Sequence, residues 1–314
     1  MRIQQLGRAG PQVSDLGLGS MGMSDWYGPA GEAESIATIH AAIDAGINLL
    51  DTGDFYGMGH NEMLLGRAPE GRRDRVLLSV KFGAMRAPSG AFIGVDGRPH
   101  AVQNFAAYSL RRLKTDHIDT YRLTRLDPGV PIEDTVGAIA DLIQGGYVRF
   151  VGLSEVSAAT VRRAHAVHPI CDLQIEYSLV SRGIEKAILP AVRELGIAVT
   201  AYGVLSRGLL TGSQPGERND IRARLPRFTG DELRTEPAID RRAGSSGGGE
   251  KCDAGPARNR LGSEQGPRHR SRDWRAHAGT TGGLDGGARP DAVGRRHCPR
   301  GGNLQCRARR GNQV

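Results

Sequence analysis

The chain has few of the residues that mark most functional classes. Only four of its 314 residues are cysteine. Three of them, Cys252, Cys298 and Cys306, lie near the C-terminus at spacings that fit no zinc ligand set. Cys171 is the only cysteine before them, as expected of a chain kept in a reducing cytoplasm. His40, His60, His100, His117, His165 and His168 show no metal-ligand spacing either, so no metal is expected. No stretch of about 18 apolar residues occurs, which argues against a membrane partner. The opening MRIQQLGRAG has neither an apolar signal core nor transit-peptide character, so a cytoplasmic location is expected. The one G-x-G-x-x-G of residues 1–235, Gly17 to Gly22, falls inside the first apolar run rather than after it, so the strand-then-glycine order of a Rossmann nucleotide fold is missing.

Net positive charge is missing from most of the chain. The net charge is +8, yet residues 236–314 hold 16 Lys or Arg against 8 Asp or Glu and carry all of it. Residues 1–235 hold 26 of each sign, so the basic balance says nothing about their substrate. The tail is also 16 parts glycine in 79 and has few large apolar residues. Such a segment cannot bury enough surface to offset its ordering entropy, and disorder is expected there. An Arg/Gly-rich nucleic-acid tail would need repeated RGG units and interleaved aromatics, which are absent, so no nucleic-acid partner is expected. A frameshift explains the tail more simply. Codons compatible with Lys251 through Ala278, read one base later, permit NATPAQLAIAWVASKGPDIVPVIGART. That string holds a helix of sensible period, a buried strand and a basic turn. One inserted base near the codons of Thr235 and Glu236 would have produced the tail.

Before the tail, short apolar runs alternate with amphipathic stretches. SDLGLGSMG, INLLDT, RVLLSVKFG, HIDTYRLT, VRFVGLSE, ICDLQIEYS and IAVTAYGVLSRG are seven strand candidates, separated by six helices. The helices repeat apolar residues at three- and four-residue spacing, as in Ile36, Ile39, Ala42 and Ile43. Pro131 with Glu133 and Asp134 marks a helix start, and Gly46 and Gly196 follow helix ends. This rhythm fits a (β/α) barrel or a doubly wound sheet. Without a Rossmann fingerprint the barrel is favoured, with MRIQQLGRAGPQVSDL as a hairpin across its bottom. The expected fold is a (β/α)8 barrel of residues 1–235, with the eighth strand and last helices missing and a tail over 236–314.

In such a barrel, chemistry collects at the C-terminal strand ends. Asp51, Tyr56, Lys81, Thr124, Ser154, Gln174 and Tyr202 all fall there. Singly, each reads as a loop cap or a hydrogen-bonded core group. Together, a Tyr beside a Lys and a carboxylate form a proton-donor set: the ammonium stabilises the phenolate, and Asp51 pairs Lys81.

The motifs LGLGSMGMS, DTGDFYG, LLSVKFG, GLSEVS, QIEYSL and AYGVLSRGLLTG occur in an order and spacing that resemble the aldo-keto reductases. The resemblance implies NADPH bound across the barrel mouth. It also implies hydride transfer to a small-molecule aldehyde or ketone, in a monomer or weak oligomer. By position it implies Tyr56 as general acid, Lys81 lowering its pKa and Asp51 pairing Lys81. Tyr202 would stack under the nicotinamide, and Ser154 and Gln174 would bond its carboxamide. Ser20 and Met21 would line the ribose side, and Leu205, Ser206 and Arg207 would wrap the pyrophosphate.

Three departures stand out. Thr124 takes the place of a usual His, so its electrostatic contribution would be weaker. Glu155 stands where many members have Asn. The residues that usually bind the adenosine 2′-phosphate are absent, and so is the eighth strand that precedes them, which implies weak NADPH binding and, through open sheet edges and exposed core, poor solubility. Two other readings compete with a reductase: a regulatory cofactor-binding member of the same family, and a class I aldolase with Lys81 as Schiff base, which the neighbouring Asp51 disfavours. The substrate loop APSGAFIGVDGRPH offers only Phe92 and Ile93 as apolar contacts.

Overall fold

The computed structural model describes residues 1–228, except 25, 214 and 217–219, together with the backbone of residues 269–272. All of these lie in one compact unit, Met1–Ala278. The expectation of disorder over 236–314 falls, apart from those four residues, outside the described residues.

The N-terminal hairpin forms as expected. Strand β1 (Ile3–Gln5) pairs antiparallel with β2 (Gln12–Ser14), Ile3 opposite Ser14. Leu6 and Val13 bury against Leu49, Cys171 and Ala198, which begin or flank the starts of three barrel strands. The Arg8 amide donates to the Gly196 carbonyl at 2.7 Å. At Gly7, φ is +71°, and a Cβ there would lie 2.2 Å from the Cys171 carbonyl oxygen. Only glycine lets this turn press so closely on the sheet. The hairpin thus covers the N-terminal strand ends and leaves the opposite mouth open.

Strand and helix then alternate: β3 (Gly17–Gly19), α1 (Glu32–Asp44), β4 (Leu49–Gly53), α2 (His60–Arg67) and β5 (Leu77–Phe82). A small hairpin follows, β6 (Ala84–Arg86) with β7 (Phe92–Val95). Next come α3 (Pro99–Leu113), β8 (Ile118–Leu123), α4 (Ile132–Gln144), β9 (Val148–Ser154), α5 (Ala158–Val167), β10 (Ile170–Glu176), α6 (Ile188–Leu195) and β11 (Ala198–Tyr202). Helix α4 shows why these helices form. Ile132, Val136, Ile139 and Leu142 recur at three- and four-residue intervals and are buried, while Glu133 and Asp134 sit in the first turn, where the helix dipole favours negative charge.

Strands β3, β4, β5, β8, β9, β10 and β11 form one parallel curled sheet in that spatial order. This is a partial (β/α)8 barrel. The backbone of β12 (His269–Arg272) runs parallel beside β11, with Val199 opposite His269, so the eighth position is held by a short segment of the tail. No helix among the described residues is long and apolar enough to cross a membrane.

The strands are less uniformly apolar than their sequence runs implied. Side chains alternate across a strand, and the polar positions share the inner face. Asp51, Ser79, Lys81, Arg122, Ser154, Asp172, Gln174 and Thr200 are all buried. Leu50, Leu78, Val80, Tyr121, Val151, Leu173 and Val199, at the alternate positions, join the large apolar core, which fits packing under the helices.

Candidate active site

The residues at the open mouth converge on Asp51, mid-strand in β4. Lys81 Nζ, near the end of β5, lies 2.6 Å from Asp51 Oδ2. Ser79 Oγ donates to Asp51 Oδ1 at 2.9 Å, and Gln174 Nε2 donates to the same oxygen at 3.2 Å. Asp51 and Lys81 are 6% and 5% exposed. A buried ion pair holds only when its remaining valences are met, and here the carboxylate receives three donors from two other strands.

Tyr56 begins the turn Tyr56–Gly59 that leaves β4. Its ring centroid is 5.1 Å from Lys81 Nζ. Phe55 and Trp26 pack edge-on against it at 4.6 and 5.9 Å. The expected lowering of the Tyr56 pKa is not found. Burial and the Asp51 carboxylate push it well above 10, because both oppose a phenolate more than nearby cations favour one. The hydroxyl therefore stays protonated through the physiological range and is a proton donor.

Thr124 follows β8 and is buried. Its hydroxyl donates to the Phe82 carbonyl at 2.8 Å, beside the Thr124 amide on the same oxygen. Ser154 ends β9, buried at the mouth. Tyr202 ends β11, and burial with the neighbouring Glu155 carboxylate pushes its pKa up. Glu155 sits in the left-handed region at φ +53° and accepts from the Glu176 amide at 2.8 Å. The Arg207 guanidinium lies 5.8 Å from the Tyr202 ring centre and donates to the Tyr27 hydroxyl at 3.0 Å. Ser206 and Arg207 have φ of +50° and +56°, followed by Gly208 at +92°. Two consecutive non-glycine residues in that region store strain, which collects at ligand-binding turns. Leu205 precedes them, and Met21 lies in the turn after β3.

The expected residues thus divide. Asp51, Lys81, Gln174 and Tyr56 form one contiguous group. Ser154, Tyr202 and Arg207 stand around it. Ser20 is turned inward: its hydroxyl lies 2.6 Å from the Asp51 carbonyl and 2.5 Å from Asn61 Oδ1. Asn61 went unremarked in the sequence, although it also donates to the Ser20 carbonyl and to Ser24 Oγ, both at 2.8 Å. Asp54 was missed as well. Its Oδ2 accepts from the Gly83 amide at 3.1 Å, and burial raises its pKa to about 7. Its position three residues after Asp51 in DTGDFYG was the only sequence signal.

A cavity of about 410 Å³ opens beside Phe55, bounded by Trp26, Gly57, Met58, Arg86, Ser89 and Arg224 among others. The β6–β7 hairpin contributes Arg86 and Ser89 to it. Phe92 and Ile93, expected as the apolar contacts of this loop, are 55% and 60% exposed and do not line it.

The profile of the aldo/keto reductase family matches residues 15–254. The chain belongs to the aldo/keto reductase family. Among solved structures it is similar to the glycerol dehydrogenase of Gluconobacter oxydans, with a TM-score of 0.77 and 28% identity over 90% of this chain and 88% of that one. It is also similar to an aldo-keto reductase of Bacillus halodurans in its holo form, with a TM-score of 0.62 and 32% identity over 69% and 71% of the two chains. Membership makes this aldo/keto reductase an oxidoreductase of small-molecule carbonyl compounds, in a family that generally works with a nicotinamide cofactor.

Proposed function

We propose that the chain is an NADPH-dependent reductase of aldehydes or ketones, with Tyr56 as the general acid. The observation that carries this reading is the protonated, buried Tyr56 with Lys81 5.1 Å from its ring and Asp51 2.6 Å from Lys81. The cofactor, when bound, supplies a hydride to the carbonyl carbon. The chain's own residues supply the rest. Tyr56 gives its hydroxyl proton to the carbonyl oxygen as negative charge develops there. Lys81 then offsets the charge left on the phenolate, and Asp51 holds Lys81 in place.

The residues at the mouth fit a nicotinamide dinucleotide. Tyr202 offers a flat ring, Ser154 a hydroxyl and Gln174 a free amide oxygen for a carboxamide. The left-handed run through Ser206, Arg207 and Gly208 turns a loop and a positive charge toward a site for phosphates. Ser20, Met21 and Leu205 would border the ribose and pyrophosphate through their backbone. Asp51, Tyr56, Lys81 and Thr124 would surround the reacting carbonyl.

NADPH consumption with an aromatic aldehyde tests the reading. Tyr56→Phe should lower the rate by about 10²–10⁴-fold with the circular dichroism spectrum unchanged. A variant as fast as the parent sinks it. A second reading is a regulatory family member that binds cofactor without turning it over. It is favoured by Thr124, whose hydroxyl proton is directed to Phe82 rather than toward a substrate. NADPH quenching of fluorescence without consumption would decide for it.

We also propose that residues 1–235 are the reductase unit and that residues 236–314 are read out of frame. The eighth sheet position supports this. In the one-base-shifted reading, the run IVPV falls on the codons of His269–Arg272, the same four residues that lie beside β11. Resequencing the gene tests it: an unambiguous frame through the codons of Thr235 and Glu236 removes the proposal. Restoring the frame should raise solubility and tighten NADPH binding.

A further inference from the structure

The cavity beside Phe55 has a chemical bias that the reductase reading leaves unused. Arg86, on β6, and Arg224 both line it, and no carboxylate is found among the described residues that do. The Arg86 guanidinium is fixed in place: it lies 5.1 Å from the Trp26 ring centre and 5.6 Å from that of Phe55. It donates one N–H to the Gly90 carbonyl at 3.1 Å. A guanidinium has five N–H donors, so most of its fork remains for a ligand. Stacking on aromatic faces leaves the edge of the fork exposed, which is the part that matches a carboxylate or phosphate.

The other walls select for shape. Trp26, Phe55 and Met58 give an apolar, largely aromatic side, and Ser24 and Ser89 add hydroxyls. Trp26 and Phe55 are the two rings that pack edge-on against Tyr56, so the wall that borders the proton donor continues to Arg86. The volume suits a small organic molecule rather than a solvent ion alone.

We infer that this aldo/keto reductase takes carbonyl compounds that carry an oxyanion, a carboxylate or a phosphate, at the end remote from the carbonyl, with Arg86 and Arg224 receiving the anion and Trp26 and Phe55 flanking an apolar body. The inference rests on the proposed reductase activity for the word substrate, but the anion site itself does not.

Two measurements separate these claims. The first needs no turnover. Trp26 fluorescence is titrated with benzoate, and with benzamide as the neutral control, on a Trp274→Phe background so that one indole reports. Saturable quenching by benzoate alone is expected, kept in Arg86→Lys and weakened at least about tenfold in the double variant Arg86→Gln/Arg224→Gln. Equal responses to benzoate and benzamide, or benzoate binding unchanged in the double variant, overturn the inference.

The second compares kcat/KM for 4-carboxybenzaldehyde, 4-formylphenyl phosphate and the neutral methyl 4-formylbenzoate. At least one anionic aldehyde should exceed the ester about tenfold, and the larger of the two identifies the preferred oxyanion. The double variant should lose that preference while the ester is reduced as before. Equal constants for all three overturn the inference. Benzoate quenching without reduction of any aldehyde would remove the reductase reading and leave the anion site standing.

Discussion

Two buried ion pairs sit inside the same barrel and are built differently. At the mouth, Lys81 and Asp51 are 2.6 Å apart, and the carboxylate receives further hydrogen bonds from Ser79 and Gln174. Deeper in, Arg122 Nη2 lies 3.0 Å from Asp172 Oδ1, and both side chains are 0% exposed. Asp172 also accepts from Thr200 Oγ1. None of the three Arg122 guanidinium nitrogens has a hydrogen-bond partner of good geometry. The inner pair is a contact of charge, held where Gly152 makes room: a Cβ there would lie 2.8 Å from Arg122 Nε. The outer pair adjoins the Tyr56 ring. The inner pair spans β8 and β10. The same chemistry is therefore set in two surroundings, beside a buried tyrosine at the mouth and between two strands deeper in.

The largest expected effect breaks the outer pair. Lys81→Met should lower the rate of carbonyl reduction by about 10²–10⁴-fold. Its stability cost should stay below that of the inner pair, because Asp51 keeps Ser79 and Gln174 as donors. A rate within tenfold of the parent would show that the Lys81 charge has no part in the chemistry. The inner pair should show the reverse. Arg122→Met leaves Asp172 as an uncompensated buried charge and should cost about 3–5 kcal/mol in urea unfolding, with kcat of the folded fraction unchanged. The double replacement Arg122→Met/Asp172→Leu should recover much of that loss. Unfolding midpoints equal to the parent in the single variant would mean that water already reaches the inner pair.

The contrast between the pairs was only half legible in the sequence. The alternation of apolar runs and amphipathic stretches carried the seven strands and six helices, because helix and strand burial each impose a period on the chain. Asp51, Tyr56 and Lys81 were legible because their spacing put them at strand ends. Arg122 and Asp172 were not, because HIDTYRLT and ICDLQIEYS read as apolar runs until pairing shows which residues face inward. The contact between Gln174 and Asp51 spans 123 residues, and because β4 and β10 are not neighbours in the sheet, only the curl of the barrel creates it. The β6–β7 hairpin was hidden for another reason: its strands are three and four residues long, too short for any period to appear. Strand β12 was invisible because HRSR has no apolar pattern at all.

A third carboxylate sharpens the comparison, because Asp54 is buried without a cation bonded to it. Its Oδ1 has no hydrogen-bond partner, and its Oδ2 accepts from the Gly83 amide. Burial is the main cause of its rise from 3.8 to about 7, with Glu62 adding to it and Arg112 opposing. The folded state thus holds a proton that the unfolded chain releases near pH 4. Stability from this group is full below about pH 4 and is lost as pH rises through 7, by up to about 4 kcal/mol. Thermal unfolding across that range should show the decline, and Asp54→Asn should flatten it. A parent curve that rises from pH 4 to 7, with no change in Asp54→Asn, would place the carboxylate in water.

The smallest effect is expected at Thr124, the position between the two pairs in character: at the mouth like Lys81, yet bonded inward like Arg122. Its hydroxyl donates to a carbonyl that already accepts from the Thr124 amide. Removing it in Thr124→Val leaves no buried acceptor without a partner, so the stability cost should fall at or below the usual range of about 0.5–1.5 kcal/mol. If the hydroxyl keeps that bond during reaction, the rate of carbonyl reduction should change by less than about threefold. A loss of 10²-fold or more, the size expected for a donor aimed at developing negative charge, would mean instead that the hydroxyl leaves Phe82 for the substrate. Thr124 would then belong with Lys81 in the chemistry, and the reading of the chain as a non-catalytic family member would lose the observation that favours it.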